Sequence, residues 1–158
     1  MSKTRSVAGL VASAVILAWA SAPAAWAGEC PAASVKDDAT PAGPSAPKGV
    51  TDNVISSIDL GQGYGIEGRQ LRARRLVIEP GGIVPWHGHG ERPANIYVLE
   101  GQITEFRSNC AVPIVHKKGE VVAEKGAISH WWRNDSRRKV VLLSSDILPP
   151  SGKPEESM

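Results

Sequence analysis

The sequence predicts an all-β domain, an antiparallel sandwich or barrel. Short stretches rich in valine, isoleucine and aromatic residues, several with apolar and polar residues in alternation, recur at intervals of roughly 8 to 12 residues. Turns that contain glycine or proline separate these stretches. Beyond the N-terminal apolar segment, no stretch has a convincing helical period. Chains with this pattern form antiparallel β structures in which one face of each strand packs into the core.

The first 27 residues are typical of a secretion signal peptide. A basic start is followed by an apolar run at residues 7–20 and by the small-x-small sequence at residues 25–27, just before Gly28. The apolar run is shorter than the roughly 20 residues that cross a bilayer. We therefore predict an exported protein, periplasmic or secreted, with no membrane partner once the signal is removed.

The remaining chain is electrically neutral and of single-domain length. The formal net charge of +2 falls to zero when Lys3 and Arg5 leave with the signal. A neutral domain gives no reason to expect nucleic acid as a partner. We predict a Pro/Ala-rich linker at residues 28–50, one β-barrel domain at residues 51–148 and a disordered polar tail at residues 149–158.

The chain has two cysteines, Cys30 and Cys110. In an oxidising compartment a disulfide between them is the favoured interpretation. It would tie the N-terminal arm to the domain and contribute about 4 kcal/mol in the chain-entropy account. The alternatives are two unpaired thiols, or a buried Cys110 that packs as a small apolar residue.

The first predicted strands lie on either side of a glycine cluster. Residues 54–60 form one strand, residues 61–65 a turn rather than a phosphate loop, and residues 71–79 a second strand. In the second strand we expect Arg72 and Arg74 on a solvated outer face, while Leu71 and Ala73 point inward.

A tight turn at residues 80–82 leads into a histidine-containing strand. The remaining predicted strands are 95–100, 102–107, 112–115, 120–123, 128–133 and 139–147. His116 precedes two lysines in an apparent turn, so we expect it to be exposed and not to bind a metal.

His87 and His89 stand one residue apart in the histidine strand. In an extended chain, side chains two residues apart point to the same face, so both imidazoles would face one point. That geometry suits a metal ion, although an exposed histidine pair is the commoner explanation of an isolated His-x-His.

Two spaced motifs resemble those of the cupin superfamily. In the first motif, a glycine, His-x-His, a glutamate and a closing glycine follow one another at fixed spacing. Gly81, His87, His89 and Gly101 stand at these positions, and Ala94 replaces the glutamate.

The second stretch resembles the second cupin motif, a glycine, Pro-x-Gly, a histidine and an asparagine. Gly119, His130 and Asn134 match, whereas Lys125 and Ala127 replace the proline and the second glycine. The resemblance covers about residues 71–147. It implies an antiparallel jelly-roll β-barrel with a metal ion inside.

The resemblance implies that His87, His89 and His130 bind one divalent metal ion. Without the motif glutamate, the site is similar to that of three-histidine cupins, which include oxygenases acting on small thiols. Three neutral imidazoles leave the ion its full charge and open positions for a ligand. Glu91, two residues after His89, is a less favoured fourth ligand.

Three further residues are candidates for substrate binding. Arg92 could pair with a ligand carboxylate, or be a surface arginine in a turn. Trp132 shares the parity of His130 and should face the barrel interior, as core or pocket wall. Tyr97 could offer a hydroxyl group to the pocket, although strand packing is the favoured role.

The sequence leaves the metal and the reaction open. Imidazole ligands suit Zn, Cu, Fe and Ni; intrinsic affinity favours copper or zinc over iron or manganese, whereas the resemblance to oxygenases favours iron. One hypothesis is an enzyme, an oxygenase or another metal-dependent catalyst that converts a small organic acid. The other is a non-catalytic accessory protein that binds metal or a small-molecule ligand. The family's frequent dimers also leave a homodimer open.

Overall fold

The computed structural model describes residues 28–150, which form an antiparallel β-barrel. A 3-10 turn at Ala32–Ser34 precedes six strands: β1 (Lys48–Asp59), β2 (Gln70–Glu100), β3 (Gln102–Arg107), β4 (Ile114–Lys117), β5 (Val121–Arg133) and β6 (Val140–Leu148). The predicted signal peptide and residues 151–158 of the predicted tail lie outside the described residues. Within the described part of the chain, no helix has the length and apolar character needed to cross a membrane.

Strand β2 is a single extended run of 31 residues, and β1, β5 and β6 all pair with it. Its residues 70–78 pair with both β1 and β6, its residues 83–89 pair with β5, and its residues 94–97 pair with β5 and β6. All of these pairings are antiparallel, which confirms the expected jelly-roll architecture. The predicted strands at 71–79 and 95–100 are therefore parts of one bent strand, and those at 120–123 and 128–133 are both parts of β5.

The bend in β2 falls at the predicted glycine turn. Gly81 has a φ of 72° and donates its N–H to the carbonyl oxygen of Asn134 at 2.9 Å. A Cβ at Gly82 would lie 2.7 Å from the carbonyl oxygen of Glu79. Larger residues would not fit this bend, which directs the following histidines into the barrel.

The barrel core is aliphatic with one buried tryptophan. Trp132 is 2 % exposed and faces inward, as its parity predicts, whereas Trp131 stacks on Phe106 on the other face with ring centroids 4.1 Å apart. The apolar side chains that form one core cluster with Trp132 are Leu76, Ile78, Val84, Ala94, Ile96, Val98, Ile103, Val122, Val140 and Leu142.

Arg72 and Arg74, in the first part of β2, lie inside the barrel, and the prediction that they are solvated is wrong. Arg72 is 8 % exposed and Arg74 is 7 % exposed, whereas Leu71, expected to point inward, is 36 % exposed. The faces are reversed because β6 brings Asp146 opposite Arg72 in the strand register, and this carboxylate compensates the buried guanidinium groups.

The segment before β1 lies against the barrel. The predicted disulfide between Cys30 and Cys110 is present, with Cα atoms 5.8 Å apart. Val35 forms a β-bridge with Cys110, and Trp86 donates its backbone N–H to the carbonyl oxygen of Pro44 at 2.7 Å. Strand β1 begins at Lys48, before the predicted start of the domain at residue 51.

Candidate metal centre

Three of the four histidines meet inside the barrel. Strand β2 carries His87 and His89, strand β5 carries His130, and the antiparallel register sets His87 opposite His130. The ring centroids lie between 4.6 and 5.1 Å apart. All three residues are buried, with exposures of 7 % or less. The structure therefore brings together the three ligands that the sequence predicts.

Glu124 joins the histidines as a fourth candidate ligand, which the sequence analysis missed. One ligand atom from each of the four residues lies within 4.8 Å of the others. One carboxylate oxygen of Glu124 lies 3.0 Å from His89 Nε2, and the other lies 3.3 Å from His130 Nε2. In the strand register Glu124 stands opposite Ala94. Glu124 on β5 therefore brings a carboxylate to the site, directly opposite position 94, where alanine replaces the motif glutamate.

Glu124 shares the even parity of Val122, His130 and Trp132, which are all buried. That signal was present in the sequence, but the predicted turn after residue 123 placed Glu124 outside a strand. The expectation of an uncharged three-histidine site is thus corrected. Glu91 is exposed and does not belong to the cluster.

The Nδ1 atom of each clustered histidine donates a hydrogen bond to an oxygen of the protein. His87 Nδ1 donates to the carbonyl oxygen of Pro85 at 2.8 Å, and His89 Nδ1 donates to that of Arg92 at 2.9 Å. His130 Nδ1 donates to the carboxylate of Glu105. When the rings are neutral, these contacts place the single proton of each ring on Nδ1, so that the Nε2 lone pairs face the centre of the cluster.

The centre of the cluster contains acceptors facing acceptors. His130 Nε2 lies 3.3 Å from His87 Nε2. His89 Nε2 is buried, lies 3.0 Å from a carboxylate oxygen of Glu124 and has no hydrogen-bond partner among the described residues. A cation at this point would satisfy these lone pairs together. Three imidazoles and one carboxylate are a donor set that divalent transition metals accept, so the residues fit a metal ion.

Comparison with known families places this site in context. The sequence profile described as Cupin domain matches residues 74–146, the part of the chain that carries all four clustered residues. The chain belongs to the cupin superfamily. Comparison with curated proteins found no match.

Solved structures with the same fold share little sequence with this cupin. A predicted oxalate decarboxylase from Thermotoga maritima aligns at a TM-score of 0.53 and 17% identity, over 76% of this chain and 98% of that one. The Cnp3 cupin domain of Schizosaccharomyces pombe aligns at 0.51 and 13% identity, over 63% of this chain. The alignment spans 64% of the Cnp3 chain, less than two thirds of its length. At these identities the likeness establishes the fold.

The surroundings of the cupin site hold His87 and Glu124 in forms that can bind a metal, whereas His130 has to lose a proton. Burial favours a lower pKa for His130, but Glu124 and Glu105 outweigh it and the pKa is raised. Burial, reinforced by the charge of His130, lowers the pKa of His87 to about 3. Burial favours a higher pKa for Glu124, but the neighbouring histidines, led by His130, outweigh it and the pKa is lowered. A neutral imidazole and an ionised carboxylate are the forms that bind metals.

A buried carboxylate, Glu105, supports the site from behind. It accepts hydrogen bonds from His130 Nδ1, from His116 Nε2 at 2.9 Å and from Arg107 at 3.0 and 3.1 Å. Burial opposes its ionisation, but the hydrogen bonds from His116 and His130 keep its pKa below the usual range. Such a partner fixes the ring of a metal-binding histidine.

His116 is fully buried, so the prediction that it is exposed is wrong. Strand β4 begins at Ile114 and places His116 on the inward face, where its ring stacks on Trp132 at 4.8 Å between centroids. The two lysines that follow it gave a misleading signal, because the turn begins only after Lys117.

The predicted substrate-binding residues occupy different places. Trp132 lines the cavity beside the histidines. Arg92 is 6 % exposed and pairs with Asp146 at 3.1 Å, so its guanidinium group has a partner within the protein. Tyr97 lies on the outer face of β2, 37 % exposed, and does not line this cavity. Its parity is opposite to that of the inward-facing Ile96 and Val98.

The cavity beside the cluster is small and mostly apolar, with one cationic side chain. Its volume is about 20 Å³, room for one or two water molecules. The residues that line it are Arg74, Leu76, Val84, His87, His89, Ile96, Glu124, Trp132 and Leu142.

Arg74 connects the cavity to a second buried group, the arginine cluster. The members of this cluster are Arg72, Arg74, Arg92, Asp52 and Asp146. Arg72 binds both oxygens of Asp146, at 3.0 and 2.9 Å, and Arg74 also contacts Asp52. Burial favours a higher pKa for Asp146, but the hydrogen bonds and charges of the arginines outweigh it and keep the pKa below its usual value.

Proposed function

We propose that this exported cupin binds one divalent metal ion through His87, His89, His130 and Glu124, and uses it to bind and convert a small organic acid. The observation that carries the proposal is the convergence of three Nε2 atoms and one carboxylate on a single buried point. The Nδ1 contacts support it, because they orient each ring before any metal arrives.

A metal ion held by these residues would act as a Lewis acid that binds and polarises an oxygen of the ligand. Glu124 would reduce the net charge of a divalent centre to +1, which still favours an anionic ligand. Imidazole with one carboxylate suits iron, copper, zinc, nickel or manganese, so the metal has to be identified by measurement.

An organic acid is the ligand class that fits the charges around the cavity. The arginine cluster contains three guanidinium groups and only two carboxylates, so it carries one excess positive charge. Arg74, the member that lines the cavity, is 7 % exposed and also contacts Asp52 and Asp146. The excess positive charge of the cluster attracts a small anion in the cavity, because little water screens it there. Arg74 would orient the carboxylate while the apolar side chains exclude water.

A non-catalytic metal-binding protein is the second candidate. The observation that favours it is the size of the cavity, about 20 Å³, which leaves little room for an organic substrate beside a metal ion. An enzyme with this structure must widen the cavity when substrate binds. The two functions therefore differ in whether ligand binding is followed by turnover.

The first experiment measures the metal content of untagged protein from the exported fraction, produced without added metal. We expect about one equivalent in the wild type and none in a His87→Ala/His130→Ala variant. Glu124→Gln should weaken binding by more than the 10- to 100-fold that loss of a supporting residue costs. Glu91→Gln is the matched control and should bind as the wild type does. Wild-type protein that neither contains nor takes up metal would refute the proposal.

A second experiment separates the enzyme from the binding protein. Metal-loaded protein is incubated with a panel of small mono- and dicarboxylates. Oxygen uptake detects an oxygenase, and product formation detects any other class of reaction. Turnover that is lost in His130→Ala supports the enzyme. A rise in thermal stability with an acid but no turnover supports the accessory protein. Mass measurement in solution tests whether the protein forms the homodimer that the family resemblance leaves open.

A further inference from the structure

One buried nitrogen inside the barrel has no hydrogen-bond partner that the fold supplies. His116 is fully buried, and its Nε2 donates to the Glu105 carboxylate at 2.9 Å. With its proton on Nε2, the neutral ring has a lone pair on Nδ1. This Nδ1 atom is buried and unpartnered among the described residues. A buried acceptor without a donor is destabilising, so a donor at this place would stabilise the fold.

Gly28 lies directly against this unpartnered nitrogen. A Cβ on Gly28 would be 2.5 Å from His116 Nδ1 and 3.7 Å from an oxygen of Glu120. Since a Cα–Cβ bond is about 1.5 Å long, the Gly28 Cα lies within about 4 Å of Nδ1. Gly28 also has a φ of 89°, which other residues rarely adopt. Position 28 thus requires glycine both for space and for backbone conformation.

Two features hold Gly28 at this place. The disulfide at Cys30, two residues further along, ties the segment to Cys110 in the barrel. Glu120, whose carboxylate accepts the backbone N–H of Lys117 at 2.9 Å, adds a negative charge beside Gly28. The surroundings of Gly28 therefore combine a lone pair and an anion, which together suit a positively charged donor.

We propose that hydrolysis of the peptide bond between Ala27 and Gly28, in which water converts the Ala27 carbonyl to a carboxylate, creates this donor. It is the α-ammonium group of Gly28, which binds His116 Nδ1 and Glu120. The sequence at residues 25–27 has the small-x-small form of a signal cleavage site that ends directly before Gly28. An α-amino group has a pKa of about 7.7 to 8.0, so it is mostly protonated at neutral pH. Before cleavage the same nitrogen is an amide with one N–H in a fixed direction.

Processing then completes a chain of hydrogen bonds that reaches the candidate metal centre. The chain runs from the Gly28 ammonium to His116 Nδ1, from His116 Nε2 to Glu105, and from Glu105 to His130 Nδ1. Gly28 and His116 are positioning residues in this arrangement, because they act on the site through Glu105. Removal of the leader would therefore order the supporting side chains as well as release the protein.

The test uses exported protein produced from the full chain with its own leader. Intact mass should give an N-terminus at Gly28. Nitrogen NMR of the metal-free protein with labelled histidines should show His116 Nδ1 as an unprotonated, hydrogen-bonded acceptor, assigned with a His116→Gln variant. Transamination of the terminal amine to a carbonyl removes the donor without adding bulk. It should shift the His116 Nδ1 resonance and leave that of His87 unchanged.

Three results would overturn the proposal: an N-terminus at another residue, a protonated His116 Nδ1, or a His116 resonance that transamination does not change. A second measurement is the affinity for Zn²⁺, which we expect transamination to lower by less than tenfold in the wild type and not at all in His116→Gln. An equal loss in both would also contradict the proposal. The NMR result does not require metal binding, so it stands even if the proposed function fails.

Discussion

The barrel contains two buried clusters of charged and polar side chains, the histidine–glutamate site and the arginine cluster, and they differ in how donors and acceptors are arranged. In the arginine cluster, positive and negative groups alternate, and Asp146 lies among three guanidinium groups. In the histidine–glutamate site, three lone pairs and a carboxylate face one another. Alternating charges stabilise the protein by themselves, whereas acceptors that converge call for a cation. Burial and charge alone do not separate a structural cluster from a binding site; the direction of donors and acceptors does.

The largest expected effect is on the arginine cluster. Asp146 is 1 % exposed, so Asp146→Asn leaves buried guanidinium groups without their central anion. We expect the free energy of unfolding of metal-free protein to fall by about 3 to 5 kcal/mol, the usual cost of breaking a buried ion pair. Denaturant titration measures it.

The matched control for Asp146→Asn is Asp135→Asn. Asp135 pairs with Arg133 on the surface, where both side chains are more than 40 % exposed, at 45 % and 43 %. We expect a change within about 0.5 kcal/mol, because water screens exposed pairs. Equal losses for the two variants would show that the arginine cluster is not a structural element.

The next effect separates the two groups by their response to metal. Metal at 100 times its dissociation constant should stabilise the wild type by about 2.7 kcal/mol. The same addition should not stabilise the His87→Ala/His130→Ala variant, whose arginine cluster is intact. Thermal unfolding with and without Zn²⁺ makes the comparison. Stabilisation of the variant would place metal binding elsewhere in the chain.

A smaller effect tests the support behind His130. Glu105→Gln keeps the shape of the side chain but removes the charge that fixes His130 Nδ1. We expect the affinity for Zn²⁺ to fall by about 10- to 100-fold, which corresponds to roughly 1.4 to 2.7 kcal/mol. Competition with a chelator measures it. Glu100→Gln, which changes an exposed carboxylate at the end of β2, is the control and should leave the affinity within about threefold.

The smallest effect is a pH dependence of stability. The pKa of Asp146 is lower in the folded protein than in the unfolded chain, so the unfolded chain binds more protons as the pH falls below about 4. The stability that Asp146 contributes is complete above that pH and is lost as the pH falls through the folded pKa. Stability measured at pH 5 and pH 3 should fall more in the wild type than in Asp146→Asn. Equal falls would mean that other carboxylates carry the acid sensitivity.

Local patterns predicted the fold and three of the four clustered residues. Alternation and turns indicated antiparallel strands, the two spaced motifs identified His87, His89 and His130, and the two cysteines identified the disulfide. The continuity of β2 was missed because glycine and proline at residues 80–82 and 90–93 indicate breaks, whereas the strand runs through both segments without ending.

Residues whose role depends on distant partners were assigned wrongly or missed. Arg72 and Arg74 are buried because distant strands supply their partners. Strand β6 brings Asp146 to Arg72, and β1 brings Asp52 to Arg74. Glu124 belongs to the site because the register of β5 on β2 sets it opposite Ala94. Such pairings depend on topology, which residue composition and local spacing do not encode.

The pairing of β6 with two separate parts of β2 has a consequence for the order of events during synthesis. Residues 140–148 lie between residues 70–78 and 94–100 in the sheet, so each part lacks its β6 neighbour until β6 itself has left the ribosome. At roughly 5 to 20 residues per second, several seconds pass between the synthesis of residue 100 and that of residues 140–148. Throughout that time apolar strand edges are open to other nascent chains. A holding chaperone should therefore matter more for the yield of this protein than for its final stability.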